Sequence, residues 1–232
     1  MNQDELAEIR SAVARLCATF PAEYWRETDR ERRYPGEFVR ALTEAGYLSC
    51  LIPEEYGGSG LGLSAAAAIL EEVQASGANG AACHAQMYIM GTLLRHGSEE
   101  QKQRYLPQVA SGEAMFSYCL SEREAGSDAA AMKTRAVRDG DAYVLNGQKS
   151  WISNAGASTY YTVMAVTDPG AGPRGISAFV VEKDDPGFSV GTGERKLGIH
   201  GSPTHEVLFE NCRIPADRMV GDEGTGFQTA MR

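Results

Sequence analysis

No apolar stretch in these 232 residues approaches the length of a bilayer-spanning helix, and no run of Lys and Arg stands anywhere in the chain. The first absence predicts no membrane span. The second, with 22 basic against 31 acidic residues and a net charge of −9, argues against nucleic acid or an anionic membrane surface as a partner, since both need clustered positive charge. Cysteine is scarce: Cys17, Cys50, Cys83, Cys119 and Cys212 are odd in number and never spaced C-x-x-C. Neither a disulfide framework nor a metal site is expected, and a reducing cytoplasm fits best. No G-x-G-x-x-G follows a strand and opens a helix, so a dinucleotide-binding parallel sheet is not supported. The opening MNQDELAEIR is charged and amphipathic, unlike a secretory signal.

What is present is ordinary globular composition, 43% hydrophobic and 23% charged, in a chain long enough for one large or two modest domains. The first part reads as helix. Leu6, Ile9, Val13, Leu16 and Phe20 recur at steps of three and four, which predicts one apolar face over 3–20. Pro35 and Gly46 bracket a second helix over 36–45. Residues 63–76 and 80–95 follow, the latter carrying His84, read as a satisfied core histidine. Ser98 and Gln101 form a capping box for a helix that Pro107 is expected to interrupt. From Ala114 the period changes to two, with strand-like runs at 114–120, 132–138, 142–146, 149–153, 159–166, 175–182 and 204–210. The expected class is α+β: an all-helical domain over 1–113, a small antiparallel β-barrel domain over 114–220, and the start of a further helical domain over 221–232.

Within the strand-rich part, Asn146-Gly147 is the strongest short-range hairpin signal. Trp151 and Ser153 follow two residues apart, so they share one face of an extended strand. A flat apolar surface beside a hydroxyl suits a planar heteroaromatic ligand. Bland alternatives stand beside this: Trp151 as a core residue, and Ser127 with Asp128 as caps of a short turn.

The segments YCLSEREAGSD, LNGQKSWISNAG and GERKLGIHGSPTHEVLFENCRIP, in that order, resemble the acyl-CoA dehydrogenases. The resemblance implies FAD as cofactor, held by Tyr118, Cys119, Leu120, Ser121, Gly126, Ser127, Trp151, Ile152 and Ser153. Ser127 and Thr167 would touch the acyl-CoA substrate. It also implies an electron acceptor such as an electron-transfer flavoprotein, and a homotetramer. Two departures stand out: Arg123 replaces a frequent proline, and His200 a frequent arginine. None of the carboxylates matches the family's catalytic glutamate, which is expected beyond Arg232. The 232 residues alone are therefore expected to be inactive and to hold FAD weakly, as a fragment or a natural truncation. Alternatives are a flavin oxidase or monooxygenase of the same fold, or a non-catalytic scaffold without the base.

Overall fold

A computed structural model describes residues 2–231. The chain forms two compact units that interleave along the sequence. One comprises 1–90, 103–115 and 195–203; the other comprises 91–102, 116–194 and 204–232.

The first unit is helical. Its α1 (Gln3–Cys17) starts on a capping box in which Asn2 and Glu5 satisfy each other's backbone N–H groups. Then come α2 (Ala22–Glu31), α3 (Gly36–Glu44), α4 (Leu63–Ala75) and α5 (Gly80–Tyr88). Val13, Phe38, Leu42, Ile69, Val73 and Cys83 are buried together in its core. The short α2 carries no full apolar stripe, and its sequence alone does not announce it. It is held by aromatic edges: Phe20 on Phe38 at 5.0 Å and Trp25 on Phe38 at 4.8 Å between ring centroids. The helix expected over 80–95 is two, because the chain breaks at Ile89–Met90 before α6 (Gly91–His96), where a glycine weakens continuation. His84 is not a core histidine: it is exposed and stacks on Tyr88 at 4.9 Å. The Ser98–Gln101 box forms as expected, at 3.1 and 3.2 Å, and opens α7 (Glu99–Ser111). Pro107 does not stop that helix. Tyr105, Leu106 and Val109 are buried, and their burial outweighs one lost backbone bond.

The second unit is a mixed sheet of eight strands: β1 (Phe116–Cys119), β2 (Arg135–Asp139), β3 (Ala142–Ser153), β4 (Tyr160–Val166), β5 (Ile176–Glu182), β6 (Phe188–Gly193), β7 (Thr204–Pro215) and β8 (Met219–Val220). The path runs β6-β7-β3-β2-β4-β5-β8, with β1 beside β4. Most pairings are antiparallel as expected, but β1–β4 and β2–β4 are parallel. Leu145, Ile152, Tyr161, Val163, Phe179 and Phe209 lie in its core. After β8 the chain closes with α8 (Gly226–Ala230). No helix among the described residues is long and apolar enough to cross a membrane.

Asn146-Gly147 makes no hairpin. β3 runs straight through it, and the extra residue of a bulge sits opposite, on β7, where Asn211 takes φ 51°. The Asn146 side chain accepts from Asn211 N–H at 2.9 Å and so stabilises the bulge instead of a turn. Gly147 itself has φ 148°, and a Cβ there would lie 2.6–2.8 Å from Thr134. The glycine answers a close approach by the start of β2, not a reversal of the chain.

In the first unit His200 holds the 195–203 loop to α2. Its backbone N–H donates to Asp29 Oδ1 at 2.8 Å, and its ring meets Asp29 Oδ2 at 3.0 Å and the Lys196 carbonyl at 2.9 Å. With an acceptor at each ring nitrogen, imidazolium is favoured. The Lys196 carbonyl and Asp29 raise the His200 pKa against some desolvation and the nearby charge of Arg32, and His200 lowers that of Asp29.

Two predictions follow from these contacts. Gly147→Ala should destabilise the fold by about 1–3 kcal/mol, the range for overpacking; a lower urea midpoint at unchanged slope checks it. The His200–Asp29 tether should be pH-dependent. A raised histidine pKa gives stability that is full below the unfolded value, about 6.5, and is lost as pH rises through the folded value. The lowered Asp29 pKa gives stability present above the ordinary carboxylate range and lost as pH falls through the folded value. Hydrogen exchange across 195–203, corrected for intrinsic rates, should therefore show more protection at pH 6 than at pH 8.5, and His200→Gln should abolish the difference. Equal protection at both pH values in the parent would refute the tether.

Candidate functional site

The site lies wholly in the second unit, where the end of β1 runs beside the last third of β3. Two bonds set this approach: the Ser117 hydroxyl donates to the Ser153 carbonyl at 2.8 Å, and Ser150 N–H donates to the Ser121 carbonyl at 3.0 Å. Ser117 is itself buried and meets the Ser158 hydroxyl at 2.8 Å.

The alternation of β3 decides which side chains face out. Tyr143, Leu145 and Lys149 are buried, so odd positions point inward along the first part of the strand. Between Lys149 and Ile152 the pairing with β7 slips by one residue, because β3 carries one more residue than its partner. A one-residue slip exchanges the faces. Beyond it Ile152 is buried and the odd positions Trp151 and Ser153 are exposed. Without the bulge the same alternation would have sent both into the core. Trp151 sits on the bulge itself with φ 60°, a left-handed conformation that costs a non-glycine residue roughly 1–2 kcal/mol. Its side chain is 51% exposed. A strained, exposed tryptophan is not a core residue, and strain of this kind gathers at ligand sites.

Each expected residue can now be placed. Cys119 and Ile152 belong to the core and can offer a ligand only backbone groups. Tyr118 and Leu120 are half-buried; burial pushes the Tyr118 phenol up to about 12. Ser121 lies just past β1, half-buried, and its N–H and hydroxyl find no partner among the described residues. Gly126 and Ser127 are exposed in the next turn. A Cβ at Gly126 would meet nothing within 4 Å, so the fold itself does not require glycine there. Neither Ser127 nor Asp128 caps the short 3-10 turn over 129–131, since Asp128 makes no side-chain cap bond. Thr167 stands apart from these, between β4 and β5. Its hydroxyl donates to the Gly175 carbonyl at 3.2 Å and meets Ser177 Oγ at 2.8 Å.

The residues that sequence reasoning missed are those beneath the turn. Lys149 is fully buried, and its ammonium donates to the Leu120 carbonyl at 3.0 Å, Glu122 Oε1 at 2.9 Å and Met132 Sδ at 3.6 Å. Glu122 also accepts from the Thr134 N–H at 3.0 Å and the Lys133 N–H at 2.7 Å. Burial opposes the charge of Glu122, but the Lys149 ammonium and these donors hold its carboxyl below the usual range. Burial lowers the Lys149 pKa, and Glu122 partly offsets that. Arg123 replaces the rigidity of a proline with a tether, an ion pair to Glu206 on β7 at 3.0 Å.

The fit to a planar, polar-edged ring is good. The exposed indole offers a flat apolar wall, and the hydroxyls of Ser121, Ser127 and Ser153 have no partner among the described residues. The buried Ser150 hydroxyl and the buried Asn154 amide flank the bulge, also without partners among the described residues. Orphaned buried groups of this kind call for a ligand or ordered water.

The description "Acyl-CoA dehydrogenase, N-terminal domain" matches residues 3–113, and "Acyl-CoA dehydrogenase, middle domain" matches 117–212. The chain belongs to the acyl-CoA dehydrogenase family. The probable acyl-CoA dehydrogenase FadE25 of Mycobacterium tuberculosis is 54% identical over 230 residues, covering 98% of this chain and 59% of that protein. The acyl-CoA dehydrogenase of Geobacillus kaustophilus matches with TM-score 0.95 and 32% identity, over 99% of this chain and 61% of that one. An acyl-CoA dehydrogenase of Bacillus anthracis, solved complexed with FAD, matches with TM-score 0.90 and 32% identity, over 99% of this chain and 39% of that one. The chain thus spans about three fifths of the length of the curated relative.

Trp151→Gly separates a ligand wall from a fold element. Glycine takes the left-handed conformation without steric cost, so the melting temperature should hold or rise. FAD affinity should fall, by up to roughly tenfold for one aromatic contact. Paired melts and flavin-fluorescence titrations check it. Lost stability with unchanged affinity would return Trp151 to the core.

Proposed function

We propose that the protein is an FAD-dependent acyl-CoA dehydrogenase, in which these residues form the flavin-binding portion. The observation that carries this reading is Trp151, strained and exposed on a bulge, next to the unpartnered Ser150 hydroxyl. Bound FAD would supply the chemistry by accepting the β-hydrogen of the acyl-CoA as hydride at N5 while the α-proton goes to a base. Trp151 would pack against the ring and fix its plane. The Ser153 hydroxyl would donate toward N5, and Ser121, through its N–H and hydroxyl, toward the pyrimidine edge, where reduction places negative charge. Ser127 would contact the substrate or the flavin at the mouth of the site. Thr167, with its hydroxyl engaged, would offer the CoA portion its methyl edge.

The two glutamates of the turn are not free to act as base. Glu122 is committed to Lys149 and two backbone donors, and Glu124 is paired with Lys133. We assign no turnover to residues 1–232 by themselves, and take 1–113 and 114–220 as a helical domain and a barrel domain. A cytoplasmic setting fits five free, buried cysteines. An electron-transfer flavoprotein as acceptor and a homotetramer complete the reading. A flavin oxidase or monooxygenase would share the described site, so the acceptor is tested and not assumed.

The decisive experiment loads the full-length protein with FAD and mixes it anaerobically with acyl-CoA thioesters. Ser153→Ala should slow flavin reduction by about tenfold to a hundredfold, the scale of one lost transition-state donor, with an unchanged melting temperature. Unchanged reduction in that variant rules out the N5 role, and rapid oxygen consumption by the reduced parent favours an oxidase.

A further inference from the structure

Lys149 and Glu122 are the one fully buried lysine and its carboxylate partner in the sheet unit, and nothing in the reading above uses them. All three ammonium protons are spent: on Glu122, on Met132 and on the carbonyl of Leu120. That carbonyl belongs to the same peptide unit as the Ser121 N–H, which has no acceptor among the described residues. The neighbouring carbonyl, that of Ser121, is fixed in turn by Ser150 N–H at 3.0 Å. The peptide thus carries an ammonium on its oxygen, is followed by a second fixed carbonyl, and presents an N–H without an acceptor on a half-buried residue.

We propose that Lys149 is a positioning residue for the flavin site, whose ammonium polarises the Leu120–Ser121 peptide so that the Ser121 N–H donates more strongly to the reduced ring. The inference rests on the FAD reading above. A charged donor on a carbonyl draws electron density from the amide nitrogen, and bonds in such a chain strengthen one another by roughly 10–30% each. Charge-assisted bonds are about twice as strong as neutral ones. The reduced flavin carries negative charge at its pyrimidine end and the oxidised flavin does not, so a stronger donor there favours the reduced form selectively. Glu122 holds the ammonium in place and keeps it charged. A mere fold staple would not need ions, because buried ion pairs are often no better for stability than packed apolar side chains.

The test uses the protein loaded with FAD. Glu122→Gln combined with Lys149→Met removes both charges and leaves no unpaired ion. Flavin stoichiometry and circular dichroism should be retained, while the midpoint potential falls and the ratio of reduced-FAD to oxidised-FAD affinity drops by roughly twofold to fourfold, the worth of a 10–30% stronger charge-assisted bond. Glu122→Gln alone takes away the partner that keeps the ammonium charged, so it should lower the potential in the same direction. A double variant that binds FAD at the parental potential overturns the proposal and leaves the pair as a staple. If the double variant does not fold, the parent still decides. Its Leu120 carbonyl ¹³C and Ser121 amide ¹H resonances should lie downfield of those of neutral-bonded strand peptides, and ordinary positions for both overturn it. A parent that binds no FAD but shows the downfield shifts sinks the functional reading while the polarised peptide stands.

Discussion

A lysine ammonium with no surface open to water has to be paired, and four segments of the sheet unit converge to pair Lys149. β3 supplies the lysine, the end of β1 supplies the Leu120 carbonyl, and the following turn supplies Glu122. The approach to β2 supplies Met132, together with the Lys133 and Thr134 N–H groups that complete the carboxylate's bonds. Removing one member of such a pair strands a buried charge and costs about 3–5 kcal/mol. The turn that carries Ser121, Gly126 and Ser127 is therefore fixed from beneath. It is also closed on itself, since Glu122 and Ala125 exchange backbone bonds at 3.0 and 3.1 Å. An exposed loop with function needs a rigid base of this kind.

The β3–β7 pairing shows how the wall opposite that turn is made. Two slips interrupt it, and they are opposite in sense. At Asn211 the extra residue is on β7; at Trp151 it is on β3. Ala142–Pro215 and Ser153–Thr204 consequently share one register, and Gly147–Phe209 through Lys149–Val207 stand one residue out of it. The first slip changes the inward face of β7, and the second changes that of β3. Lys149 can thus point inward to meet Glu122 while Trp151, two residues on, points outward. Neither could be had from an unbroken ladder, in which residues two apart share a face.

Much of this was legible in the sequence, and the failures have a common cause. Periodicity located α1, the Pro35–Gly46 bracket located α3, alanine-rich composition located α4, and local chemistry alone specified the Ser98–Gln101 cap. The motifs around Ser121 and Trp151 indicated the family. Tertiary contacts overrode local signals elsewhere. Gly147 reads as a turn until Thr134 is seen against it, and Pro107 reads as a stop until the buried faces of Tyr105 and Val109 are seen around it. The charged α2 becomes a helix through aromatic edges supplied by Phe20 and Phe38. The bulge at Trp151 had no sequence signal. Trp151 and Ser153 were rightly placed on one face, but which face depends on a slip against β7 that no local pattern encodes.

The same geometry bears on where proton abstraction can come from. A general base needs a pKa near the working pH and a lone pair free to reach the substrate. Glu122 has neither, because one oxygen faces an ammonium and an amide, the other faces a second amide, and its pKa is held low. The features that make it a good anchor make it a poor base. On the flavin reading proposed above, a site that uses its buried carboxylate to fix this backbone must take the proton with another group. Separating the two tasks lets each carboxylate have the environment its task demands: a low pKa within a lattice of donors for the anchor, and a raised one against the substrate for the base.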